Sequence, residues 1–169
     1  MVEWAFWGCS PFLAAALITD IRSMRIPNSI SISALITGLL IQASVQGWRG
    51  MVFGLCGAVV GFILLLIMYS MGAVGAGDVK LFAGIGAWTG MLFTAQVLIY
   101  SVLFGALIGW IIVLWRRESG MRVHKILSRL AGFFLLRKFS YLKGRENELL
   151  RFPFMLAVIP GSVLAYLYF

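Results

Sequence analysis

The sequence predicts an all-α, polytopic integral membrane protein with about six transmembrane helices and one amphipathic cytoplasmic loop. Three observations lead there. Of the 169 residues 62% are hydrophobic and only 12% charged, against roughly half and a quarter in soluble domains. The apolar residues come in long blocks, too many to bury within so small a soluble core, so lipid has to solvate most of them. The basic residues collect between alternate blocks, as they do when charge fixes orientation in a membrane. A single domain over residues 1–169 is expected.

Six apolar segments follow one another: 4–19, 29–46, 51–71, 79–95, 97–115 and 152–169. Most reach the roughly 17–25 residues that a crossing needs. The first opens with Glu3, Trp4 and Trp7 and has no basic leader, which reads as a retained helix and not a signal peptide. The fourth and fifth are separated only by a weak polar break over Trp88–Gln96, and merging them would invert the topology beyond that point. Charge arbitrates in favour of six. With six spans, 13 of the 14 Lys and Arg residues share one side and Arg49 stands on the other. The rich side is then cytoplasmic, with both termini outside. Trp4, Trp7, Trp48, Trp88, Trp115 and Tyr168 lie near segment ends, where interfacial aromatics belong.

The net charge of +8 is therefore read as topology and as contact with anionic lipid headgroups, not as nucleic-acid binding, for which no motif is present. Residues 116–151 form the one substantial polar loop, between the fifth and sixth segments. In it Val123, Ile126, Leu127, Leu130 and Phe134 recur at helical spacing opposite Arg122, Lys125 and Arg129. That pattern predicts an amphipathic helix on the inner membrane surface, either a lid or guide for substrate or a plain linker. Glycines four apart, as in Gly50/Gly54, Gly57/Gly61, Gly86/Gly90 and Gly105/Gly109, predict close helix packing. Cys9 and Cys56 belong to no CxxC pair and read as small buried hydrophobes, so no metal site or cofactor is expected.

Chemistry is expected at two carboxylates. The chain has six acidic residues, and Asp20 and Asp78 are its only aspartates. Asp20 falls at the cytoplasmic end of the first segment and Asp78 at the cytoplasmic start of the fourth. The topology places them on one membrane side, although 58 positions separate them. Each alone has an ordinary explanation: Asp20 could pair with Arg22 or Arg25, and Asp78 could cap a helix. Two together at a membrane boundary, where charge is costly, point to function. A carboxylate pair shares one proton; the ionised member draws a proton from water while the protonated one donates to a scissile carbonyl. The helix ends alone favour Asp20, near a C-terminus, as the proton holder and Asp78, near an N-terminus, as the ionised member. Gly72, Gly75 and Gly77 before Asp78 leave open backbone for an extended substrate. Other peptide-cutting chemistries lack their parts: there is no HExxH, no GxSxG, and the one histidine, His124, lies in the loop.

At Asp20-Ile21-Arg22-Ser23-Met24-Arg25-Ile26-Pro27-Asn28 and Gly75-Ala76-Gly77-Asp78-Val79-Lys80-Leu81 the chain resembles the type IV prepilin peptidase family of GxGD aspartyl proteases. The resemblance continues through Ala83, Gly84, Gly86 and Gly90. Phe152-Pro153-Phe154 is similar to the family's C-terminal proline motif, with Met155 where a glycine is expected. It implies a peptidase of the bacterial inner membrane that removes the basic leader from prepilin or pseudopilin precursors at the cytoplasmic face. Asp20 and Asp78 would be the catalytic pair, and Pro27, Asn28, Gly75, Gly77 and Lys80 would shape the substrate site. Larger members carry a zinc-binding domain with paired CxxC motifs and also methylate the new N-terminus. This sequence offers neither, so it resembles the small, peptidase-only Flp/Tad branch. Self-association is left open. The rival readings are a proton- or cation-coupled transporter and a non-catalytic pilus assembly factor.

Overall fold

Apolar stretches in lipid have to satisfy their own backbone hydrogen bonds, and the helix does so within one segment. The computed structural model describes residues 2–115 and 153–168, and every regular element among them is helical. These are α1 (Val2–Ser23), α2 (Asn28–Ser70), α3 (Ala76–Thr89), α4 (Met91–Trp115) and α5 (Met155–Tyr168). The chain divides into one unit of Met1–Gly105 with Pro153–Phe169 and another of Ala106–Phe152. The second is described only over the last turns of α4, and the amphipathic helix expected in 116–151 lies outside the described residues.

α2 is one element of 43 residues but two arms. Gly47 leaves the helical region with φ +60° and ψ −140°, a conformation that glycine reaches most easily. Beyond it the chain folds back. A Cβ on Gly50 would run into the Gln42 carbonyl, and one on Gly54 would lie 3.2 Å from Leu39 Cδ2. In a straight helix residues eight apart would be about 12 Å apart along the axis. The reversal separates the second and third predicted segments as the sequence suggests.

α3 lies against both arms of this hairpin. From Leu81 to Thr89 every residue is buried, as expected of a helix apolar on all sides. The first arm holds it with two polar bonds: Gln42 Nε2 donates to the Trp88 carbonyl (2.6 Å), and Trp88 Nε1 donates to the Ala34 carbonyl (3.0 Å). The second arm approaches through glycine. A Cβ on Gly57 would collide with the Gly86 carbonyl, one on Gly86 with the Gly57 carbonyl, and one on Gly61 with the Phe82 carbonyl. Backbone meets backbone there, which any larger side chain would prevent.

The break between α3 and α4 falls at Gly90, earlier than the boundary drawn at residues 95–97. Its φ of +82° stops the helix, and the ring of Phe53 occupies the place of a Cβ. Thr94 Oγ1 then donates to the Gly90 carbonyl (2.7 Å), closing the turn. α1 and α5 run antiparallel: the Phe6 and Tyr166 rings stack at 4.6 Å, and the start of α5 meets the end of α1. The core around α3 includes Leu65, Phe82, Ile85, Phe93, Val97, Met155 and Val158.

Among the described residues α1, α2 and α4 are long and apolar enough to cross a membrane, while α3 and α5 have 14 residues each, about 21 Å of rise. Ile36, Leu40, Phe62, Ile67, Leu103, Leu107 and Trp110 are exposed, an apolar surface that suits lipid. Two expectations need correction. Trp88 is a buried core residue bonded to Ala34 and not an interfacial one. Cys56 is exposed while Cys9 is buried, and both are free thiols.

The glycine contact is expected to be intolerant. Gly57→Leu or Gly86→Leu should lower stability by about 1–3 kcal/mol or more through overpacking. Gly109→Ala, where a Cβ meets open space among the described residues, should change little. Thermal unfolding in detergent, followed by circular dichroism, distinguishes the two cases.

Candidate active site

Three helix ends meet at one end of the first unit. α1 finishes with Asp20 in its last turn, and Met24 closes it with a left-handed φ of 49° while its N–H donates to the Asp20 carbonyl (2.8 Å). The chain then turns through Arg25 and the buried Ile26 to Pro27, whose φ of −61° and ψ of 140° start α2. Ile26 is the link to α3. A Cβ on Gly77 would stand 3.1 Å from Ile26 Cβ and 3.3 Å from its carbonyl oxygen, so glycine here lets the two backbones close up.

Asp78 is the third residue of α3. Its Oδ2 accepts the N–H of Gly75 (2.9 Å), the reach-back bond of a helix start. Its Oδ1 is buried and has no hydrogen-bond partner among the described residues. Capping thus accounts for one oxygen of this carboxylate and leaves the other unused. Asp78 precedes the apolar part of α3, and burial pushes its carboxyl up to about 6. The Gly75 bond opposes that rise and the nearby charge of Asp20 adds to it.

Asp20 is as hidden as Asp78, 6% against 7% exposed, whereas Arg22 and Arg25 are exposed. Its partner is not a neighbouring arginine. Oδ2 accepts the backbone N–H of Met155 (3.0 Å), the first residue of α5 and 135 positions away. The Phe154 ring packs on Phe82, one turn beyond Asp78, with centroids 6.4 Å apart, which holds the start of α5 against α3.

The other residues singled out by sequence lie around this pair. Lys80 Nζ donates to Asn28 Oδ1 (2.9 Å) on the exposed side, joining α3 to the start of α2. Pro27 starts α2, Gly75 is a donor to Asp78, and Gly77 receives Ile26. Sequence reasoning missed Ile26 and the Met155 N–H. The signal for Met155 was Pro153, which stands where a helix begins and so marks free N–H groups. Among the described residues there is no cluster of three or more His, Cys, Asp or Glu able to hold a metal.

The sequence matches the type IV leader peptidase family over residues 7–110, a stretch that includes both aspartates. The chain belongs to that family. It is 33% identical over 160 residues to a prepilin leader peptidase/N-methyltransferase of Bacillus subtilis (strain 168), covering 92% of this chain and 52% of that protein. It is 32% identical over 123 residues to one of Pectobacterium carotovorum subsp. carotovorum, covering 66% of this chain and 42% of that protein. A Pseudomonas putida relative of the same description is 31% identical over 114 residues, covering 63% and 39%. The chain spans about half the length, or less, of these curated relatives. No solved structure matches it.

The raised Asp78 carboxyl carries a stability prediction. The folded state keeps the proton up to about pH 6, while the unfolded chain releases it near the ordinary carboxylate value of 3.8. The folded state therefore binds more protons in that window, and this contribution to stability is lost as pH rises through it. Asp78→Asn keeps an acceptor for Gly75 and removes the titration. The wild-type unfolding temperature should fall, relative to this variant, between pH 4 and pH 6. Parallel curves for the two proteins in detergent would contradict the assignment.

Proposed function

We propose that this chain is a membrane aspartyl endopeptidase that removes the basic leader from type IV prepilin or pseudopilin precursors. The observation that carries the reading is the buried Asp20–Asp78 pair at the joined ends of α1 and α3, with one Asp78 oxygen free of any partner among the described residues. Family membership and relatives named prepilin leader peptidase supply the substrate class.

In the proposed mechanism the pair holds one proton. Asp78, with its carboxyl pushed up to about 6 and Oδ1 available, fits the proton holder that donates to the scissile carbonyl oxygen. Asp20 then takes a proton from the attacking water. This reverses the order that helix ends alone suggest, because burial outweighs both the helix N-terminus and the Gly75 donor at Asp78. Attack gives a tetrahedral intermediate, and its collapse returns a proton to the leaving amine. The exposed Gly75 leaves backbone before Asp78 open to an extended substrate, Gly77 shapes the site by admitting Ile26, and Pro27, Asn28 and Lys80 frame the approach.

The finer parts of the reading are proposals as well. Six crossings, both termini outside and the site facing the cytoplasm of a bacterial inner membrane follow from the charge distribution. Anionic lipids would contact the basic loop over 116–151, in a single peptidase domain that acts with or without self-association. Leader cleavage without methyl transfer, as in the Flp/Tad branch, rests on the sequence resemblance.

The test is co-expression of a candidate prepilin with wild type, Asp20→Asn or Asp78→Asn in membranes. Wild type should shorten the precursor. Each variant should insert normally and cleave about 10²- to 10⁴-fold more slowly, the usual contribution of acid–base groups. Cleavage at the wild-type rate by either variant would sink the two-carboxylate mechanism.

A further inference from the structure

Helix α5 contributes a backbone donor to the site. The first turn of any helix has N–H groups without intrahelical partners, and each needs an acceptor. In α5 they can be followed one by one. Leu156 N–H donates to the Pro153 carbonyl (3.1 Å), and Ala157 and Val158 N–H donate to the Phe154 carbonyl (2.9 and 3.2 Å). The N–H of Met155 goes elsewhere, to Oδ2 of Asp20 at 3.0 Å in a buried setting. The side chain of Met155 is fully buried in the core, and the packing of Phe154 on Phe82 fixes the entry of the helix.

We infer that the Met155 backbone N–H is a positioning group for Asp20, and that α5 acts on catalysis through this one bond. This rests on the two-carboxylate reading above. Asp20 sits in the last turn of α1, where its side chain is free to take more than one rotamer. A fixed donor on Oδ2 selects the one that leaves Oδ1 for water. The donor is backbone, so any residue other than proline supplies it, and methionine can stand where the family resemblance leads one to expect glycine. The side chain at 155 packs while the N–H positions.

The position allows a clean test. Proline is favoured at the first residue of a helix, so Met155→Pro removes the N–H without a helix-interior clash, while biasing Phe154 before it away from the α region. Its ring carbon takes the place of the proton, and Asp20 has to turn away. Met155→Ala loses the same buried side chain but keeps the donor. Both variants, in the full chain in membranes, are assayed for precursor cleavage over a range of precursor levels, with inserted protein quantified. Met155→Pro should lower kcat by about ten- to a hundredfold relative to Met155→Ala, with KM unchanged. If Met155→Pro does not accumulate, a backbone ester at 155, made by cell-free translation into nanodiscs with a 2-hydroxy acid, is compared with Met155→Leu and should show the same loss.

Equal kcat for the donor-less and donor-bearing variants overturns the inference, as does a change in KM alone. Asp20→Asn and Asp78→Asn are run beside them. If these two are inactive and Met155→Pro matches Met155→Ala, only the role of the donor fails. If they are active, the carboxylate reading fails with it.

Discussion

The contact on which the rest depends is backbone against backbone between Gly57 on the second arm of α2 and Gly86 on α3. Lipid tails are as apolar as leucine, so helices in a membrane gain little from hiding apolar surface and hold together by close packing and hydrogen bonds. Glycine at Gly54, Gly57, Gly61 and Gly86 gives α3 that closeness on one side. Gln42 and Trp88 add the hydrogen bonds on the other. A helix clamped in this way can be short. Both arms of α2 cover it, and its first turn can carry a carboxyl group among buried residues.

That first turn sets the electrostatics. A buried carboxylate is expensive unless something replaces water around it. Neither aspartate uses an adjacent arginine for this. Asp78 takes the N–H of Gly75 and Asp20 the N–H of Met155, both from helix starts where such donors are free. Among the described residues each carboxylate is thus held by one oxygen. A full set of partners would make a stable structural pair; half a set leaves atoms without a hydrogen bond, and Asp78 Oδ1 is one of them. The turn through Met24 and Ile26 keeps the two helix ends in register, and Gly77 is small so that Ile26 can sit there.

Much of this is legible in the residue order. The apolar blocks give helices, the reversal between the second and third falls at Gly47, and the isolation of Asp20 and Asp78 among so few acidic residues marks them. Other features are not. The α3–α4 break was drawn several residues late, because Gly90 in an apolar run is indistinguishable by composition from the packing glycines around it; its φ of +82° decides. Trp88 resembles an interfacial tryptophan by position, yet lies buried with its indole N–H satisfied by Ala34. The partner of Asp20 could not be read from α1 and α3 alone, since the start of α5 supplies it.

The sequence by itself determined that this chain is helical, that lipid is its solvent and that its two aspartates lie at helix ends. Those properties are local: hydropathy, charge and residue type need no partner to be read. Only the tertiary structure decided what surrounds the carboxylates, because a backbone N–H looks the same at every position. Which N–H is free depends on where a helix starts, and which acceptor it meets depends on how that helix packs. Met155 and Asp20, 135 residues apart, meet because α1 and α5 lie antiparallel and Phe154 lodges on Phe82.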